Sequence, residues 1–168
     1  MTPDWTRLAP HRPLDPGDDL YEPPPSGVGE EVAKWVLAGG STVLVGGPAG
    51  VGKSTELAQV AHRLQPDRVA CFVSVDRWEN MRRITPEKLL LRIAGKLVYL
   101  AVMHLSLKVS HDLRSALRLE GLLPDEAMKG PIMGPIGITP MDMARMAINE
   151  VTRLSRQGRV ALVLDGLE

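Results

Sequence analysis

Residues 47–54 read Gly-Pro-Ala-Gly-Val-Gly-Lys-Ser. In this G-x-x-x-x-G-K-S spacing, backbone and side chains can together surround a chain of phosphates. Gly47, Gly50 and Gly52 permit the tight bends that turn successive N–H groups toward one anion. Pro48, Ala49 and Val51 complete the loop. Lys53 can reach the β- and γ-phosphates, and the Ser54 hydroxyl suits Mg²⁺. A helix starting near Lys53 would aim its positive dipole end at the same charge. The expected ligand is therefore a nucleoside triphosphate with Mg²⁺.

A second constellation closes the sequence: Val160-Ala161-Leu162-Val163-Leu164-Asp165-Gly166-Leu167-Glu168. An apolar strand with Asp at its carboxyl end can set a carboxylate beside the phosphate loop, next to Ser54 and the water shell of the metal. An Asp at a strand end is common by itself, because Asp favours turns. Paired with residues 47–54, Asp165 becomes a candidate metal residue. Glu168 is a candidate for orienting or deprotonating an attacking water, the alternative being a solvated strand-end carboxylate.

Gly-Pro-Ala-Gly-Val-Gly-Lys-Ser-Thr followed by Leu-Val-Leu-Asp-Gly-Leu-Glu resembles the Walker A and Walker B motifs of P-loop NTPases, in particular the AAA+/STAND group and its NACHT-like members. The resemblance is tight over residues 42–60 and 160–168 and loose elsewhere. It implies ATP as the nucleotide, Lys53 on phosphate, Ser54 and Asp165 serving Mg²⁺, Thr55 near the α-phosphate and Glu168 as the second acid. It also implies a three-layer α/β sandwich around a parallel sheet of order 5-1-4-3-2. Only the strands corresponding to one, two and three are recognisable here. The remaining strands, a polar sensor and an arginine finger are expected after Glu168, so the sequence reads as the N-terminal part of a longer protein.

These residues need elements to position them. Thr42-Val43-Leu44-Val45 is expected as the strand that delivers the phosphate loop. Lys53 to Leu64 is expected as the following helix, with Leu57, Val60, Ala61 and Leu64 on one face and Pro66 as its stop. Val69 to Val75 is a near-continuous apolar run, the pattern of a parallel strand buried on both faces. Before the loop, Val28 to Leu37 has helical spacing, with Gly39-Gly40 to end it. Residues 1–27 are rich in proline and acidic residues and read as an extended lead-in. This lead-in either lies across the domain and frames the nucleotide base or is an unpacked leader. The rest, 28–168, reads as one partial P-loop domain.

A helical insertion is expected over about 86–157, before the Asp165 strand. Thr85-Pro86 and Thr139-Pro140 are cap-and-proline starts. Ser110 is a cap candidate for a helix closed by Gly121. Residues 124–139 form a loop of Gly, Pro, Ile and Met that either packs against its own domain or orders on a partner. The apolar segment Leu97 to Leu107 is too short to span a bilayer and reads as buried helix.

The chain has 168 residues, of which 44% are hydrophobic, enough for one domain with a sizeable core. Its 20 basic and 20 acidic residues balance, so no overall electrostatic footprint favours nucleic acid. Cys71, the single cysteine, cannot staple the fold and fits a reducing, cytoplasmic setting as a buried, inert thiol. Four histidines without any Cys-x-x-Cys give no support for zinc. The start lacks the basic and apolar regions of a signal peptide.

Three functions remain open at this point: an ATP-hydrolysing switch, a phosphotransferase acting on a small molecule, and a nucleotide-binding interaction module without turnover. Self-association or a protein partner is compatible with each.

Overall fold

The computed structural model describes residues 13–14, 17–39, 42–48, 50–75, 84–124 and 137–166. Helix α1 spans Val28–Leu37, α2 Lys53–Leu64, α3 Pro86–Tyr99, α4 His111–Leu119 and α5 Pro140–Leu154; strands β1 and β2 span Val69–Ser74 and Val160–Asp165. The fold is α/β, with a two-stranded parallel sheet and five α-helices among the described residues.

The helix starts follow their local chemistry. The Thr85 hydroxyl accepts from the Lys88 amide, and the Thr139 hydroxyl accepts from the Asp142 amide, each with proline in the first turn. Glu150 of α5 holds the entry to α4, because both the Ser110 amide and its hydroxyl donate to the Glu150 carboxylate, at 2.7 and 2.6 Å. The expected buried helix through Leu107 is only partly found. The α-helix ends at Tyr99 and widens into a π turn over Leu100–His104, where the Leu105 amide reaches back to the Leu100 carbonyl. Leu97, Val98 and Ala101 are buried, whereas Met103 and Leu105 face outward. Among the described residues no helix is long and apolar enough to cross a membrane.

β1 and β2 pair in the register Val69↔Val160 through Ser74↔Asp165. The Val69 amide donates to the Arg159 carbonyl and the Val75 amide to the Asp165 carbonyl, both at 2.8 Å. Backbone groups alternate in direction along a strand, so those of residues 160, 162 and 164 point away from β1 to the other edge of β2.

Helices pack on both faces of the sheet, and β1 is almost wholly buried between them. Val69, Cys71 and Val73 join α3, α4 and α5 in the larger core, through Leu97, Val98, Leu113, Leu117, Ala147 and Val151. On the opposite face Ala70, Ala161 and Val163 pack with Ala33 of α1 and Val60, Ala61 and Leu64 of α2. Burial on both faces explains why β1 is a near-continuous apolar run.

The expected strand at Thr42–Val45 is a correction. These residues form no strand, and Leu44 is 93% exposed. A strand is held by its neighbour's ladder, and a groove of about 700 Å³ separates this run from β2. Of the apolar loop at 124–139, residues 125–136 lie outside the described residues; at its far end, Ile138 packs on the larger core.

Candidate functional site

The phosphate-type loop leads directly into α2. Gly50 and Gly52 have φ of 81° and 85°, left-handed values that suit glycine because it has no Cβ. Gly52 is the N-cap of α2 and offers no capping side chain. No side chain caps this helix end, an arrangement suited to an anion. Gly47, Pro48, Gly50, Val51 and Gly52 are all exposed; Ala49 lies outside the described residues. The Lys53 ammonium folds back over the loop, donating to the carbonyls of Gly47 at 2.8 Å and Pro48 at 2.9 Å.

The two halves singled out in the sequence meet at the tip of the sheet. The Ser54 hydroxyl donates to Asp165 Oδ1 at 3.0 Å, across 111 positions of sequence. The strand alternation explains the encounter. Ala161 and Val163 face α1 and α2, so Asp165, two residues further along, faces the same way and meets the first turn of α2. Asp165 is only 8% exposed. Glu168 lies outside the described residues.

The lead-in lies against this helix. The Leu14 amide donates to Thr55 Oγ1 at 3.4 Å, and the Tyr21 hydroxyl donates to Glu56 Oε1 at 2.8 Å. Burial, and then the hydrogen bond to Glu56, raise the Tyr21 pKa above the usual phenol value. Gly29 of α1 completes the contact, since a Cβ there would meet Glu56 Oε2 at 2.5 Å. Proline content alone could not have revealed the roles of Tyr21, Glu56 and Gly29; only the approach of α1 to α2 brings them together.

Beside the loop, the groove between residues 42–46 and β2 is bordered by Lys53 and Asp165 and lined by Val36, Leu44, Leu57 and Leu162. Sequence reasoning also missed Ser74, at the tip of β1 opposite Asp165. It is 7% exposed, and its hydroxyl has no hydrogen-bond partner among the described residues. The signal was the one hydroxyl inside Val69-Ala70-Cys71-Phe72-Val73-Ser74-Val75.

A metal at this site would not sit in an all-protein cage. Among the described residues no group of three or more His, Cys, Asp or Glu side chains could hold an ion. A hydroxyl and a carboxylate in contact, beside a phosphate-type loop, are nevertheless a hard-oxygen donor set that fits Mg²⁺, which keeps several waters and takes its other ligands from substrate phosphates. Comparison with protein-family models, with curated proteins and with solved structures finds no match.

Proposed function

We propose that this chain binds ATP with Mg²⁺ on the loop at 47–54, as part of an ATP-hydrolysing switch ATPase of the P-loop AAA+/STAND kind. The observation that carries the reading is the Ser54–Asp165 hydrogen bond of 3.0 Å, which joins a phosphate-loop hydroxyl to a strand-end carboxylate. A glycine loop alone would support only anion binding.

In this reading the loop amides and the start of α2 cradle the phosphates. Lys53 leaves the carbonyls of Gly47 and Pro48 for the β- and γ-phosphate oxygens. Ser54 and Asp165 are the residues that would hold Mg²⁺, which when bound neutralises phosphate charge. Thr55 lies toward the α-phosphate, and the lead-in at Leu14 and Tyr21 borders the nucleoside side of the site. Glu168 orients the water that attacks the γ-phosphorus in line, with ADP departing.

Binding of a fluorescent ATP analogue tests this directly. Lys53→Ala removes a charge-assisted contact worth roughly 1.5–3 kcal/mol, so affinity should fall on the order of 10- to 100-fold. Equal binding by wild type and variant sinks the reading. In a longer chain that supplies the sensor and arginine finger, Glu168→Gln should retain binding and abolish phosphate release. Binding without release in the wild type would leave a nucleotide-responsive module, and phosphate transferred to an added metabolite would indicate a phosphotransferase.

A further inference from the structure

We propose that Ser74 is a positioning residue of this site: its hydroxyl holds a water of the bound cation's shell against Asp165. The inference rests on the nucleotide reading above and adds a residue to it.

Strand alternation places Ala70, Phe72 and Ser74 on the face of β1 that packs toward α1 and α2. Asp165 lies on that same face of β2, in direct register with Ser74. One oxygen of Asp165 is taken by Ser54. The Ser74 hydroxyl is buried, and among the described residues nothing pairs with it. Buried hydroxyls are ordinarily hydrogen-bonded, so one left over beside a carboxylate implies a partner that arrives with the ligand. Mg²⁺ brings ordered waters of that kind, and residues that orient such a shell tune metal affinity without touching the metal. Every other side chain of β1 is apolar, so no neighbour along the strand offers this hydroxyl a partner.

The test follows Mn²⁺ by electron paramagnetic resonance as it is titrated into protein carrying a non-hydrolysable ATP analogue. Ser74→Ala should weaken Mn²⁺ binding about tenfold and alter the spectrum of the bound ion. Its affinity for the analogue in EDTA should equal that of wild type. Ser74→Thr, which keeps the hydroxyl, should restore Mn²⁺ affinity. Unchanged Mn²⁺ affinity in Ser74→Ala overturns the proposal while leaving the nucleotide reading intact. So does an equal loss of analogue affinity in EDTA, which marks a structural role. If wild type and Lys53→Ala fail alike to bind the analogue, the nucleotide reading falls and Ser74's role falls with it.

Discussion

Lys53 is held by two carbonyls of its own loop, so an incoming anion must offer it better acceptors than Gly47 and Pro48. Its compact ammonium fits between neighbouring oxygens, whereas a guanidinium is a wide planar fork. Lys53→Arg should therefore fail to restore analogue binding despite keeping the charge. Cys71 shows the opposite kind of environment. Burial in the larger core pushes its thiol up to about 12, so it should resist iodoacetamide in the folded protein and react only on unfolding. Because the folded pKa is raised, this thiol's contribution to stability is complete below the ordinary value of 9.0 and is lost as pH climbs toward about 12. Equal alkylation rates with and without denaturant would contradict that burial. At the Tyr21–Glu56 contact, Tyr21→Phe removes one partly buried hydrogen bond, worth about 0.5–1.5 kcal/mol at most. The expected result is little change in melting temperature but faster proteolysis within residues 17–27.

Helices depend on spacing and caps, both local, and they were legible in the sequence. Thr85-Pro86 and Thr139-Pro140 announce α3 and α5 because a hydroxyl cap and a donor-free first turn are properties of adjacent residues. Strands depend on neighbours. Val69–Ser74 and Val160–Asp165 found each other, whereas Thr42–Val45, equally apolar, has no ladder beside it and leaves Leu44 almost fully exposed. The same distinction separates the residues of the candidate site. Lys53, Ser54 and Asp165 stand in recognisable local patterns, whereas Ser74 and Glu56 gain meaning only from the register of β1 on β2 and the contact of α1 with α2. Gly95 in α3 is another tertiary residue, since a Cβ there would meet Leu122 Cβ at 2.9 Å and its carbonyl oxygen at 3.3 Å. Gly95→Ala gains up to about 1 kcal/mol of helix propensity, while overpacking costs about 1–3 kcal/mol. The clash should prevail, and a higher melting temperature would show that residues 121–123 can move aside.

At the scale of the whole molecule, helices cover both faces of the sheet but no strand among the described residues covers the free edge of β2. Leu162, in the middle of that strand, is 38% exposed, and an open edge is a template for pairing with another chain. Self-association should therefore rise with concentration, and Leu162→Lys should reduce it in sedimentation or light scattering. The hydrogen bond between Ser54 and Asp165 has a consequence of another kind. Its partners are 111 residues apart, so bringing the two oxygens together costs the closure of a long loop, which local structure alone does not repay. Unfolded chain therefore has no such site. Any ligand that requires both residues selects the native state alone and stabilises it by about 2.7 kcal/mol at a hundred times its dissociation constant. Occupancy of this one contact thereby becomes a gauge of how much of the chain is folded.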